Sequence, residues 1–392
     1  MTQSNHPSPP QNYLKGGVIV LLCFLVACQG SNQSQNTNNQ QQETAEVESG
    51  LILNNATLEQ ANPKGQILWK VQTDEAAYSP DRKKAQLTGV KGNIYQDGKI
   101  VLRVKADQGE INRDGQEILL KNNVVAVDPR NNTVIRSEEV EWRPQDSVLM
   151  VRKNLRGSHP QLEATAKEAK YFAKKQQFEL IGNIIATAKN PRLQLKTEHL
   201  IWDVPQDKVI GDRLLNVVRF EDKTITDQLV ANQAQVNLKT KQVLVEKNIE
   251  FKSLEPPLQV ATNEILWKYK DRQVTSSKPV KLIEYQRGVT VIGNEAQVDF
   301  PQNMAYLRRG VQGSGRANGS KLYSNDLTWN IKDQTIEALG NVIYEQAGDP
   351  PFNLTGEKAT GTLHNNNIVV HGNPQDRVVT EIFPEDLNSN SR

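Results

Sequence analysis

The chain has 392 residues, with 47 Lys and Arg against 45 Asp and Glu and a formal net charge of +2. That near-balance argues against a general polyanion binder, because nucleic-acid domains carry a strong basic excess. A mean hydropathy of −0.60 excludes a transmembrane helix beyond the N-terminal leader. The two cysteines, Cys23 and Cys28, both lie in that leader. After cleavage before Cys28 no thiol or disulfide chemistry remains, and the fold must rest on burial, for which roughly 330 residues are ample.

In chain order, no acidic residue precedes Glu43, and Lys15 stands just ahead of an apolar run, Val18 to Ala27 (VIVLLCFLVA). This run has the length of a secretory h-region and falls short of the ~20 residues that span a bilayer. It ends in Leu25-Val26-Ala27-Cys28, the form of a bacterial lipobox. Residues 1–27 are therefore read as a signal peptide and Cys28 as the lipidated first residue. An uncleaved anchor helix from Leu14 to Cys28 is the other reading, and both leave the rest of the chain outside the cytoplasm, tethered to a membrane. Residues 28–48 are rich in Gln, Asn and Ser and cannot bury enough surface to order themselves, so they read as a linker. Residues 49–374 are the folded part, and 375–392 a polar tail.

Within 49–374 the sequence repeats. A small or apolar residue followed two positions later by a larger one recurs at Ala76, Gly109, Val140, Ala169, Leu200, Ala234, Ile265, Ala296, Leu327 and Ala359, with spacings of 29 to 34. Fourteen residues after six of these anchors stands an asparagine: Asn123, Asn154, Asn183, Asn248, Asn341 and Asn373. Each unit shows two runs of alternating apolar residues, as in Ala169 and Tyr171, then Phe178, Leu180, Ile184 and Ala186, separated by a short polar break. Period two predicts strands and the break predicts a hairpin. The repeated asparagines, some preceded by glycine, suit a bulge or bend because both residue types tolerate positive φ. Strands long enough to bend can pass from one sheet to another. The expectation is all-β: an elongated two-sheet roll of about ten tandem hairpins and about twenty strands. With about ten strands per sheet at ~4.8 Å, its length is roughly 45 Å. A parallel β-helix competes, but its rungs usually run shorter. Tryptophan fills the larger slot in alternate units, at Trp142, Trp202, Trp267 and Trp329, so successive hairpins occupy inequivalent places.

The first unit is more specific. Leu51-Ile52-Leu53, Gly65-Gln66-Ile67-Leu68-Trp69-Lys70-Val71, Asp74-Glu75-Ala76-Ala77-Tyr78 and Leu87-Thr88-Gly89-Val90 follow in order. This resembles the opening of the LptC family, the periplasmic component of the lipopolysaccharide-export ABC transporter, and the later units resemble the OstA-type repeat. The resemblance implies an OstA-like β-jellyroll with an apolar interior, docked on the β-jellyroll domains of the inner-membrane exporter and receiving glycolipid from it. Family members are typically about half this length and keep an N-terminal transmembrane helix where this chain has a lipobox. The extra units suggest a longer bridge that also meets the next periplasmic or outer-membrane component.

On this reading, the cargo groove is lined by Trp142, Tyr171, Phe178, Leu180, Ile184, Leu193, Leu195, Trp202, Trp267 and Trp329. The same residues can equally be core where two sheets close. Leu51, Leu53, Ile67, Trp69 and Val71 form the edge facing the transporter, and Leu354, Leu363, Ile368 and Val370 the distal edge, each joined by strand addition. Arg308-Arg309 and Lys83-Lys84 can meet lipid phosphates or simply be solvated. Catalysis is not expected: there is no nucleophile elbow and no mature cysteine. The histidines are scattered, so no metal or cofactor is expected. With no phosphate-binding glycine loop, ATP hydrolysis must occur elsewhere. A scaffold lipoprotein and a polysaccharide-binding module are the competing functions.

Overall fold

A computed structural model describes residues 50–382 apart from 62–64, 97, 113–115, 131, 144, 160–161, 173, 190, 317–318, 349, 363–366 and 373–377. The leader, Cys28, the linker, Leu363 and Asn373 lie outside the described residues, as do 383–392 of the expected tail. The described residues contain strands and no helix. The first ten strands are long: β1 (Leu51–Ala61), β2 (Ile67–Tyr78), β3 (Ala85–Gln96), β4 (Lys99–Asn112), β5 (Glu117–Asp128), β6 (Thr133–Arg143), β7 (Val148–His159), β8 (Leu162–Phe172), β9 (Gln177–Lys189) and β10 (Arg192–Asp203). Long and short strands then alternate: β11 (Lys208–Gly211), β12 (Leu215–Glu221), β13 (Thr224–Ala231), β14 (Gln233–Asn237), β15 (Gln242–Leu254), β16 (Pro257–Lys268), β17 (Gln273–Ser276), β18 (Val280–Glu284) and β19 (Val289–Asp299). The last are β20 (Met304–Gly315), β21 (Ser320–Ser324), β22 (Asp326–Asn330), β23 (Thr335–Gln346), β24 (Phe352–Thr362), β25 (Asn367–His371) and β26 (Val379–Ile382).

All ladders are antiparallel and run in chain order, which removes the parallel β-helix. Five strands are split in two: β11/β12, β13/β14, β17/β18, β21/β22 and β25/β26 pair as halves with one full-length neighbour. The twenty-six strands therefore fill twenty-one full-length places, close to the twenty expected. β26 lies inside the stretch read from sequence as a polar tail and pairs with β24.

The layers arise by creasing one sheet. Six strands carry two successive left-handed residues at their middle, Asn122-Asn123, Lys153-Asn154, Gly182-Asn183, Lys247-Asn248, Arg309-Gly310 and Gly340-Asn341, and β1 and β3 carry one, Asn55 and Gly89. In β12 and β18 the loops 212–214 and 277–279 take that place. The neighbouring strand has a small residue there, as at Thr73, Ala106, Ser137, Ala166, Thr197, Ala231, Thr262, Gly293 and Ser324, all buried. A Cβ on Gly293 would come within 2.9 Å of the Leu307 side chain. Hydroxyls in this column fasten the bend: Thr73, Ser137 and Ser324 each donate to the backbone carbonyl two residues on, at 2.7, 3.2 and 2.9 Å. The next residue is usually polar and holds the bulge opposite. Asn123 Nδ2 donates to Asp107 Oδ2 (2.6 Å), and the amides of Asn183 and Asn248 donate to Glu198 Oε2 (2.9 Å) and Asn263 Oδ1 (3.1 Å).

The two halves of one strand then share a core. Val151 and Leu155 of β7 pack in one cluster with Ile184 of β9, and Val245 and Ile249 of β15 do the same with Leu215. Each full-length strand thus serves both layers, so the 45 Å estimate is too short. About twenty steps of ~4.8 Å give a body roughly 95 Å long.

The left-handed backbone costs a non-glycine residue about 1–2 kcal/mol, least for Asn. Asn248→Val is expected to destabilise the fold by about that amount in urea unfolding, while Asn248→Gly stays within a few tenths. Equal effects of the two would remove the crease argument.

Candidate functional site

Side chains alternate along a strand, so each half-strand presents one row to the space between the layers. Nearest the crease that row is sealed: Ala76 is 0% exposed, Ala169 1% and Ile184 1%. Two residues further out, toward the rim where hairpins turn, packing loosens. Tyr78, Trp142, Tyr171, Trp202 and Trp329 are half-buried, and Trp267 is 41% exposed. The section is a wedge, closed at the crease and open at the rims.

All ten residues expected in a groove lie on this inward row. Tyr171, Phe178 and Trp202 stack across β8, β9 and β10, with centroids 4.3 and 5.7 Å apart. Burial pushes the Tyr171 hydroxyl up from its ordinary pKa. Leu180 packs on the cluster around Ile184, Leu195 on its same-layer neighbours Ala186 and Ala164, and Trp329 on the cluster around Leu327. Leu193 shares the row of Leu195. Ile184 is sealed beside the crease, and Phe178, level with Tyr171 and Trp202 toward the rim, is also buried, whereas the tryptophans are half-buried or, at Trp267, exposed. The indole N–H groups of Trp202 and Trp329 are buried without an acceptor among the described residues, which normally costs about 1–3 kcal/mol.

The ends are open. β1 pairs with β2 only, and β25 and β26 with β24 only, among the described residues. Leu51 and Leu53 face inward opposite Tyr78 and Ala76, yet they are 39% and 37% exposed because no strand follows. Ile67, Trp69 and Val71 lie one strand inboard on β2, where Trp69 and Val71 are paired on both sides and Ile67 with Ala61 of β1, and so are not on the terminal strand. Leu354 is likewise inboard on β24, while Ile368 and Val370 do sit on the terminal β25. The hairpin between residues 61 and 67 makes Leu51–Ala61 a strand of its own, which displaces the other residues inward.

The outer faces are polar and carry the ion pairs, such as Lys121–Glu110 (2.6 Å) and Lys358–Glu337 (2.6 Å). Arg309 sits in a crease bulge, 2.8 Å from Glu295, and Arg308 lies over Tyr306. That pair is engaged and lies away from the mouth. Lys83 and Lys84 are exposed on the 79–84 turn.

A cluster missed in the sequence surrounds His199 on the outer face. Its Nε2 is 2.9 Å from Glu179 Oε1 and its Nδ1 2.8 Å from Asp212 Oδ1. Asp212 belongs to the loop that splits β11 from β12, so no local pattern announces the contact. Burial opposes charging, but hydrogen bonds and charge from Asp212 and Glu179 outweigh it and hold the imidazolium above its usual pKa. Its stabilisation is complete below about pH 6.5 and is lost as pH rises through the raised value. Thermal midpoints measured from about pH 6 to 9 should fall for the parent more than for His199→Gln; parallel curves would refute the bridge.

The sequence matches the family profile described as lipopolysaccharide-assembly, LptC-related, over residues 18–153 and 213–316. It also matches the profile described as LptA/(LptD N-terminal domain) LPS transport protein over residues 103–208. No curated protein matches the chain. The LptC-related segments cover well over half of the 392 residues, and the repeating β-architecture runs through both kinds of match. The chain belongs to the LptC-related lipopolysaccharide-assembly family.

Proposed function

We propose that the wedge between the layers is the path along which lipopolysaccharide crosses the periplasm, entering at the β1 end and leaving at the β25/β26 end. The observation that carries this is the row of inward aromatics left half-open at the mouth, in a groove whose terminal strands each keep one unpaired edge among the described residues. Each acyl CH2 removed from water gains ~0.8 kcal/mol. A multiply acylated glycolipid can therefore move only where its chains stay covered. The free edge of β1 adds to a β-jellyroll domain of the inner-membrane exporter, and the edge of β25 and β26 to the next bridge or outer-membrane component, each by main-chain pairing. The chain's length, about twice that expected of the family, suits a bridge that spans more of the distance by itself.

A photo-crosslinker at Trp202 should capture lipopolysaccharide in cells, one at the outward Ile201 should not, and one at Ile52 should capture an exporter domain. Protein adducts alone at Trp202 would reduce the molecule to a spacer.

The membrane tether is assigned to Cys28, lipidated after removal of residues 1–27, with 28–48 as the leash. Mass spectrometry of the mature protein should find the N-terminal residue to be Cys28 bearing a diacylglyceryl group. An intact Met1 would return the anchor to an uncleaved helix.

A further inference from the structure

The hairpin turns alternate between the two rims of the wedge, and the rims differ in charge. On the rim beside Trp267, the turns 238–241 and 269–272 carry Lys239, Lys241, Lys270 and Arg272, all exposed, against a single acid, Asp271. The turns are neighbours, joined by the Tyr269 amide donating to the Lys241 carbonyl (3.2 Å). None of the four cationic side chains has an ion pair or hydrogen bond among the described residues, although eighteen ion pairs tie up charges elsewhere. Lys241 and Arg272 also occupy the left-handed turn position, with φ of 57° and 55°. The equivalent position holds Asp207 and Asn303 in the adjoining turns, residue types that suit it better. The opposite rim at this level is balanced and apolar: Asp222 with Lys223, Glu255 with Arg287, and exposed Leu254 and Tyr285.

Directly inside the cationic turns the buried core is sparse. One packed cluster ends at Ile265 and the next begins at Val291. Between residues 250 and 304 the only buried apolar side chain is Val280. Trp267, on the inward row opposite Val243 and Val274, is the most exposed of the tryptophans whose side chains line that row, and it meets Tyr269 edge-on at 5.8 Å. Unpaired cations thus stand over a half-open aromatic at a gap in the core.

We infer that Lys239, Lys241, Lys270 and Arg272 form a site for an anionic substituent, phosphate or carboxylate, on the head group of an amphiphile whose acyl chains lie in the wedge beneath Trp267. This rests on the proposed path and adds to it a charge preference and a fixed station. An acidic face of a partner or the membrane surface would be attracted by the same charges. The site is assigned to the cargo because the cations sit above the gap, where a head group emerges if its tails are inside.

The test uses the soluble chain from residue 29 and three diglucosamine glycolipids with the same acyl chains: phosphorylated, carboxylated and uncharged. Binding is measured by tryptophan fluorescence at about 0.05 M and 0.5 M salt, since screening acts over ~10 Å at 0.1 M. The parent should bind both anionic lipids roughly tenfold more tightly than the uncharged one, as two or three such contacts near a surface would give, and high salt should shrink the gap. Replacing the four cations with Gln should erase that preference and leave uncharged-lipid binding intact. Lys281→Gln, on the outer face, should change nothing. A phosphate-only preference would identify the substituent as phosphate. Equal binding of all three lipids by parent and variant, with Trp202 still crosslinking to lipid, would overturn the site and spare the path. Binding of none would overturn the path itself. Charge-dependent binding to phosphatidylglycerol vesicles without uptake of any glycolipid would reassign the cations to a membrane surface.

Discussion

The structure depends on a backbone constraint: every strand must bend at the same height. A sheet with one apolar face has to cover that face, and this chain does so with itself, folding along a line rather than stacking two independent sheets. Because neighbouring strands are hydrogen-bonded in register, a bend displaced in one strand would shear the ladder beside it. The left-handed pairs Asn122-Asn123 and Lys153-Asn154, the small residues Ser137 and Ala166, and the polar Asp107 and Glu198 are parts of one device, repeated with the period of the sequence. Where the device is weakest the strand breaks instead, as at 212–214 and 277–279, and the crease line continues through the gap. Left-handed residues are disfavoured one at a time; here small neighbours and side-chain acceptors make them the cheapest way to turn the sheet.

A crease produces a wedge, and a wedge cannot be packed evenly. At its apex small residues such as Ala106, Ala166 and Gly293 on one strand leave room for Val124, Ile184 and Val311 on neighbouring strands, and all are sealed. Aromatic residues fit further out, and even these do not close the mouth. A sandwich of two separate sheets could close both sides with equal layers; this architecture leaves one side under-filled along its length. The half-exposed tryptophans follow from that geometry before any function is considered. They also expose apolar surface that an acyl chain would cover at ~25 cal/mol per Å2.

Much of this was legible in the residues. The small anchors Ala76, Ala169 and Ala359 are sealed beside the crease, and five of the six repeated asparagines take the left-handed conformation that their spacing suggested; Asn373 is not described. The body's length was misjudged because alternation of apolar residues identifies strands without saying that both halves of one strand face each other. The edges were only half legible. Leu51 and Leu53 are terminal, but Ile67, Trp69 and Val71 became a second strand through a turn that composition alone does not time. The His199 bridge was not legible, since Glu179 and Asp212 come from a neighbouring strand and a loop. Nor was the distinction between Arg308-Arg309 and the rim cations. All are basic residues in polar surroundings, and only the fold puts the former on a paired crease and the latter over an open mouth.

A groove built from a repeat offers nearly the same surroundings every two strands, or about every 10 Å. If the units were identical, a chain sliding along it would meet a series of equal minima, and no station would hold it more firmly than the next. This molecule departs from that uniformity at two places of opposite kind. At β8 to β10 Tyr171, Phe178 and Trp202 stack side by side along one wall of the wedge. At β16 to β19 packing lapses around Trp267. The two stretches give an apolar chain in the wedge unequal surroundings, close-packed rings at the first and a half-open tryptophan at the second. Direction is set by where the push is applied, but the spacing of stops along the way is written in which side chains fill the wedge.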